Sequence, residues 1–145
     1  MIRLCQVATA LIAVVASNVP ATKSADPTTL TGKVTKVRDG DTVEIGKIPI
    51  RLNGVSAPEL KEPLGPKSRL FMVELVFGKL VRCVLNDNKS YDRFVGTCYL
   101  NDRDLGSAVI EAGLARDCPR FSGGKYRAVE TKAARSQIKL PGYCE

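Results

Sequence analysis

Residues 31–54, TGKVTKVRDGDTVEIGKIPIRLNG, hold three short segments rich in β-forming residues and separated by two turns. The segments are residues 31–37, 42–45 and 48–54, and the turns are Asp39-Gly40 and Gly46-Lys47. Such pairs favour tight hairpins, because Asp bonds its own turn and Gly accepts the unusual backbone angles. The stretch therefore predicts a three-stranded antiparallel meander.

The chain downstream of this meander predicts two more strands and three helices. The elements are a helix opened by Gly65-Pro66 and stopped by Gly78, strands at 81–85 and 94–100 joined by a polar loop at 86–93, and helices at 105–112 and 125–138. Proline is tolerated in the first turn of a helix, and glycine readily ends one. Five strands with helices after the third and the fifth predict an α+β fold, a five-stranded OB-type β-barrel with about three helices.

The N-terminal residues have the pattern of an export signal. Arg3 gives a positive start, and residues 4–16 form an apolar run that is too short to span a bilayer. The predicted segments are a signal peptide at 1–21, a polar leader at 22–29 and a single domain at 30–145. The alternative is an uncleaved N-terminal helix. We predict an exported, periplasmic or secreted protein without a stable membrane anchor after signal cleavage.

Cysteine usage agrees with export, because loss of Cys5 with the signal leaves four cysteines. Three pairings are available. Cys83 and Cys98 lie on neighbouring strand segments, so we favour the pair 83–98 and, around the last helical stretch, the pair 118–144. Buried free thiols are the alternative for the first pair. Zinc is disfavoured, since no two cysteines have close ligand spacing and the chain has no histidine.

The chain is basic, with 22 Lys and Arg against 15 Asp and Glu. A cationic surface attracts polyanions, which include nucleic acid, an anionic polysaccharide and a membrane surface. The charge fits these partners equally well, and it also fits a protein that is merely kept soluble. Net charge alone therefore does not identify the ligand.

Four motifs occur in a specific order along residues 30–145: VRDGDTV at 37–43, IRLNGVSAPE at 50–59, YDR at 91–93 and EAGLA at 111–115. Each is weak by itself, but their order and spacing resemble those of the staphylococcal (micrococcal) nuclease family. The resemblance implies the OB-fold barrel and a calcium-assisted endonuclease that cleaves DNA and RNA with little sequence preference. It implies single-stranded or double-stranded nucleic acid as the substrate, and we predict a monomer.

Phosphodiester cleavage needs an activated water and cations that stabilise the developing charge. By resemblance, Arg51 and Arg93 clamp the scissile phosphate, and their planar forks suit two phosphate oxygens. Glu59 corresponds to the glutamate that orients or deprotonates the water, a role that a carboxylate can fill in a chain without histidine. Tyr91 is similar to a tyrosine that bonds a substrate phosphate. Asp41 corresponds to a carboxylate ligand of the calcium ion.

The sequence departs from the family pattern at Ser56, where typical members carry a second calcium-binding aspartate. A hydroxyl is a poorer calcium ligand than a carboxylate, so we expect weaker binding of the ion. The segment at 117–121 also differs from the tyrosine-rich stretch of typical members, although Phe121 remains available to stack on a base.

Two other functions stay open beside the nuclease. The first is a binding module that keeps the barrel and the cationic groove without efficient turnover. The second is an accessory role in the synthesis of an exopolysaccharide such as succinoglycan. The segment CPRFSGG at 118–124 is similar to one found in short exported nuclease-like proteins that are encoded beside the enzymes of succinoglycan synthesis. Asp41 and Glu59 could mimic the carboxylate pair of a glycosidase, but the arginines suit phosphate better.

Overall fold

The fold is built around one strongly curled β-sheet, in a computed structural model that describes residues 26–145. The strands are β1 (Thr29–Asp39), β2 (Thr42–Ile45), β3 (Ile48–Leu52), β4 (Val55–Ser56), β5 (Leu80–Ser90), β6 (Arg93–Leu100), β7 (Arg103–Asp104) and β8 (Arg116–Asp117). The main sheet has the order β3-β2-β1-β5-β6-β7, and β3 also pairs in parallel with β6. This pairing joins the ends of the five principal strands and closes the predicted barrel. The α+β, OB-type fold class is therefore confirmed.

Strand β1 allows the barrel to close because it is long enough to pair with two neighbouring strands. Its first half, from Thr29 to Lys33, pairs with β5, and its second half, from Val34 to Asp39, pairs with β2. Irregular register within the second half increases the local twist. The strand begins at Thr29, two residues before the predicted start, since the extra residues find partners on β5.

The described residues form four α-helices, of which the first two pack against strands of the barrel. They are α1 (Gly65–Val76), α2 (Leu105–Glu111), α3 (Pro119–Ser122) and α4 (Lys132–Gln137), followed by a 3-10 helix at Gly142–Cys144. Helix α1 buries Ser68, Met72 and Val76, which are spaced four apart and so share one face. Asp104 is the N-cap of helix α2, and its carboxylate accepts from the amides of Gly106 and Ser107. The first two helices agree with the sequence prediction.

The predicted helix at 125–138 is wrong over its first half, because only Lys132–Gln137 is helical. Tyr126 is buried, and its hydroxyl contacts the carboxylate of Asp104 at 3.2 Å. The carboxylate of Glu130 accepts from Nε of Arg116 at 2.9 Å. These long-range bonds hold residues 125–130 in turns, and the side chain of Thr131 then caps the shorter helix.

The predicted polar loop at 86–93 is also shorter in the structure. Strand β5 continues to Ser90 and pairs with β6 as far as Arg93, with an irregularity between Asn86 and Lys89. Tyr91 adopts a positive φ of 59° at the two-residue tip. The β5–β6 hairpin therefore continues past the residues of β6 that pair with β3.

Both favoured disulfides are present. Cys83 and Cys98 are register partners on β5 and β6, with a Cα–Cα distance of 4.0 Å. Cys118 and Cys144 are joined with a Cα–Cα distance of 4.7 Å, which ties the C-terminal residues to the start of α3. All four cysteines are buried. The first disulfide strengthens the barrel wall, and the second fixes the chain end.

The predicted signal peptide at 1–21 and residues 22–25 of the leader lie outside the described residues. Within residues 26–145, no helix has the length and apolar character needed to cross a membrane.

Candidate functional site

One cleft of about 670 Å³ opens on the side of the barrel where β3, the loop after β4 and the β5–β6 hairpin meet. Its charged and aromatic lining residues are Asp39, Arg51, Glu59, Lys89, Tyr91, Arg93, Phe121 and Tyr143. Five of the seven residues singled out from the sequence therefore share this cleft. Asp41 and Ser56 are not among its lining residues, and both are buried.

Arg51 projects from β3 on the side opposite the buried Ile50 and Leu52, as the alternation of the strand predicts. Its Nη1 donates to Oδ1 of Asp41 at 2.8 Å, and its Nη2 donates to the carbonyl of Val55 at 3.3 Å. The side chain is 18% exposed. A guanidinium has five N–H groups, so these two bonds fix its plane and leave further donors for a ligand.

Arg93 begins β6, directly after the hairpin tip. Its Nη1 donates to the hydroxyl of Thr42 at 3.1 Å, while Nε and Nη2 donate to the carbonyl and the hydroxyl of Ser90. Thr42 is the register partner of Arg51, and its hydroxyl donates to Asp41 Oδ1 at 3.0 Å. Thr42 and Asp41 therefore anchor both arginines in one hydrogen-bonded network.

Asp41 is buried beneath the cleft at the start of β2. Its Oδ1 accepts from Arg51 and Thr42, and its Oδ2 accepts from the amide of Ala57 at 3.0 Å. The pKa of this carboxyl is raised to about 7, because burial and the neighbouring Asp39, which raise it, outweigh Arg51 and the two other donors, which lower it. The carboxyl is thus a structural support of the arginines.

The contacts of Asp41 affect whether this site can hold calcium, an ion that prefers six to eight oxygen ligands. Asp41 already accepts three hydrogen bonds, and Ser56 contributes a hydroxyl where the family has a carboxylate. In the part of the chain that the structure describes, no three acidic, His or Cys side chains come together to hold a metal. The residues that the structure describes therefore do not by themselves form a calcium cage.

Glu59 is exposed at the rim of the cleft, two residues after Ala57. Its backbone is fixed, since its amide donates to the carboxylate of Glu62 and its carbonyl accepts from the amide of Glu62 at 2.8 Å. Gly65 passes so close that an added Cβ would lie 1.9 Å from the carbonyl oxygen of Glu59. The backbone beside Glu59 is therefore tightly packed, and the exposed Glu59 side chain extends from a fixed point at the rim of the cleft.

Aromatic side chains form another part of the lining. Tyr91 is 94% exposed at the hairpin tip, and its ring lies 5.9 Å from the guanidinium carbon of Arg93. Phe121 on α3 is 53% exposed, and its carbonyl accepts from the side chain of Asn53. Tyr143 was missed by sequence reasoning, as was Lys89. The favoured pairing of Cys144 was the signal that could have placed Tyr143 here.

A closed five-stranded barrel with two anchored arginines and an exposed carboxylate along one cleft defines an OB-fold protein with a face suited to anions. The chain belongs to the staphylococcal nuclease family, because the family model described as Staphylococcal nuclease homologue matches residues 49–140. The matched residues include Arg51, Glu59 and Arg93. The family resemblance read from the sequence is therefore confirmed.

Individual relatives agree with this assignment. An Escherichia coli O157:H7 protein named uncharacterized endonuclease is 32% identical over 111 residues, which cover 73% of this chain and 72% of that protein. A probable staphylococcal-like nuclease of Oryza sativa subsp. japonica is 37% identical, over 52% of this chain and 20% of its own length. A probable endonuclease of Phaeosphaeria nodorum is 31% identical, over 63% and 36% respectively. The chain thus spans well under half the length of these plant and fungal relatives.

Proposed function

We propose that this protein is an exported phosphodiester hydrolase that cuts DNA and RNA with little sequence preference. The observation that carries the proposal is the shared network in which Asp41 and Thr42 anchor both Arg51 and Arg93 at a cleft that Glu59 also lines. Two fixed guanidinium groups and one exposed carboxylate match the needs of phosphoryl chemistry. The protein would act as a monomer.

In the proposed reaction, the scissile phosphate lies between the two guanidinium groups of Arg51 and Arg93. Glu59 accepts a proton from a water molecule whose oxygen attacks phosphorus, and the opposite phosphorus–oxygen ester bond breaks. The leaving alkoxide takes a proton from solvent. The two arginines stabilise the transition state more than the bound substrate, because negative charge accumulates on the phosphate oxygens in the transition state.

Little sequence preference follows from the type of contact that the cleft offers. Arginine and lysine side chains bind phosphate oxygens, which are the same in every nucleotide. Aromatic rings stack on any base. Tyr91 and Phe121 are the proposed substrate-binding residues of this kind.

Calcium is the cofactor that the family generally uses. We propose that it binds weakly here, with Asp41 as its protein carboxylate and with water or substrate oxygens as the other ligands. Ser56 and the hydrogen bonds that Asp41 already accepts support weak binding. A dissociation constant above about 1 mM, at the weak end of protein calcium sites, is expected.

Export rests on the signal-like residues 1–21 and agrees with two disulfides, which persist in oxidising compartments. The proposed location is therefore the periplasm or the extracellular medium.

A binding module without turnover is the second candidate, and it is favoured by the lack of a metal-binding cluster among residues 26–145. The experiment offers single-stranded DNA, RNA and succinoglycan to the wild type, to Arg51→Lys and to Arg93→Lys, each with calcium or with a chelator. Arg103→Lys is the matched control, because Arg103 is exposed, pairs with Glu111 and does not line the cleft.

Nuclease activity predicts that both nucleic acids are cut, that the two cleft variants cut at least about tenfold more slowly and that the control is unchanged. Binding of nucleic acid without cutting under either condition would instead establish the module. Shortening of the polysaccharide alone would establish the accessory role in exopolysaccharide synthesis.

A further inference from the structure

We infer that Tyr143, held at the cleft by the Cys118–Cys144 disulfide, stacks on a nucleobase and directs the site to single-stranded nucleic acid. The inference deepens the proposed function, since it rests on nucleic acid as the ligand of the same cleft. Residues 142–144 lie outside the family-matched region, residues 49–140. The feature therefore comes from this chain's own C-terminal segment.

The position of Tyr143 is fixed by its neighbour. Cys144 is fully buried and bonded to Cys118, which lies at the start of α3 and itself lines the cleft. The 3-10 helix Gly142–Cys144 also packs against α3. Tyr143, one residue before this anchor, is 54% exposed and lines the cleft. The backbone at Tyr143 is therefore held before a ligand binds, which lowers the entropy lost on binding.

Phe121 supplies a second aromatic ring, from the segment that follows the other cysteine of the disulfide. It lies three residues after Cys118, is 53% exposed and also lines the cleft. Its backbone is held by the side chain of Asn53, whose Nδ2 donates to the Phe121 carbonyl at 3.1 Å. The disulfide thus joins two segments that each place one exposed aromatic ring in the cleft that the arginines also line.

The charged and aromatic side chains along the cleft indicate which kind of ligand it binds. Three cationic side chains, Arg51, Lys89 and Arg93, line it together with the rings, against the two carboxylates of Asp39 and Glu59. The cations can bind the phosphates of a backbone, and the exposed rings can stack on its bases. This combination of a basic groove and aromatic platforms binds single-stranded nucleic acid. Bases in a duplex are stacked inside the helix, and their faces are not accessible to a protein side chain. The cleft therefore favours an unpaired strand.

The test measures equilibrium binding by fluorescence anisotropy, with the oxidised protein in the presence of a chelator. The probes are a labelled oligothymidylate, a labelled abasic oligonucleotide of the same length, the corresponding DNA duplex and a labelled succinoglycan fragment. The variants are Tyr143→Ala and Tyr143→Phe. Phe77→Ala is the matched control, because Phe77 is 57% exposed and does not line the cleft.

Tyr143→Ala should weaken binding of oligothymidylate by about 5- to 100-fold and leave binding of the abasic strand unchanged, since only the first probe offers bases. Tyr143→Phe and Phe77→Ala should bind both strands as the wild type does. The wild type should prefer the single strand to the duplex. Melting temperatures measured in parallel identify a variant that has lost its fold.

Equal losses on the oligothymidylate and abasic strands would overturn the inference, and so would no loss on either. A loss confined to the succinoglycan fragment would also overturn it and would assign Tyr143 to sugar binding. The proposed function and this inference can fail independently. If Tyr143 supports base-dependent binding but no cleavage occurs, the nuclease proposal fails and this inference stands. Cleavage that does not respond to Tyr143→Ala, with unchanged binding, leaves the nuclease standing and removes the inference.

Discussion

Arg51 donates through Nη1 to Oδ1 of Asp41 at 2.8 Å, in a setting where the carboxyl is buried and the guanidinium is 18% exposed. Thr42 extends this pair to Arg93. A phosphate in the cleft would thus meet two guanidinium groups whose positions are already fixed. Such preorganisation lowers the cost of arranging charge during the reaction.

Loss of Arg51 should destabilise the protein, because the buried Asp41 must then either stay charged without its cation or take up a proton. We expect Arg51→Met to lower the free energy of unfolding by about 3 kcal/mol at pH 8. The double variant Asp41→Asn with Arg51→Met should recover much of this loss, since the buried charge is gone. Urea unfolding of the three proteins checks the prediction. A single variant as stable as the wild type would show that the ion pair contributes nothing.

The stability of the protein should depend on pH through Asp41. Burial raises the pKa of this carboxyl from 3.8 to about 7 in the folded state, so the folded protein holds a proton that the unfolded chain releases at lower pH. The stabilising contribution is present below pH 4 and is lost as the pH rises to 7. Relative to Asp41→Asn, the wild type should therefore become less stable across this window. Urea unfolding at several pH values would contradict this if the difference moved the other way.

A carboxylate restored at position 56 should create the missing calcium ligand. We expect Ser56→Asp to bind calcium at least about tenfold more tightly than the wild type, because a second fixed negative charge joins Asp41. Ser56→Asn is the neutral control of the same shape and should bind as weakly as the wild type. Isothermal titration calorimetry measures both. Equal affinities in the three proteins would mean that the ion does not bind beside Asp41.

The two disulfides should contribute unequally to stability. In the chain-entropy model a crosslink stabilises more when it closes a longer loop, and the sequence separations are 26 for Cys118–Cys144 and 15 for Cys83–Cys98. Paired Cys→Ala variants of each bond should lower the free energy of unfolding by about 3 kcal/mol, with the larger loss for 118–144. Guanidinium unfolding of the two double variants decides the order, and the reverse order would contradict the model.

The barrel could be predicted from the sequence because its strands carry local signals. Alternation around Arg51 and the two turns at Asp39-Gly40 and Gly46-Lys47 act over a few residues, and the structure agrees with them. The motif order also directed attention to Arg51, Glu59 and Arg93, which the structure brings to one cleft.

The differences arise where distant contacts override local preference. Residues 125–130 have good helix formers, but the bonds that Tyr126 and Glu130 make with Asp104 and Arg116 hold them in turns. Tyr143 could be placed only through the bond between Cys118 and Cys144. Contacts of this kind leave no periodic pattern in the sequence near the residues that they position.

The most direct test of the account is a single-turnover measurement on one labelled oligonucleotide with Glu59→Gln. Glu74→Gln is the matched control, an exposed carboxylate on α1 that does not line the cleft. We predict that Glu59→Gln slows cleavage by at least about 100-fold, in line with loss of a general base, while the dissociation constant of the oligonucleotide stays within about twofold. Cleavage by Glu59→Gln at the rate of the wild type and of Glu74→Gln would contradict the account.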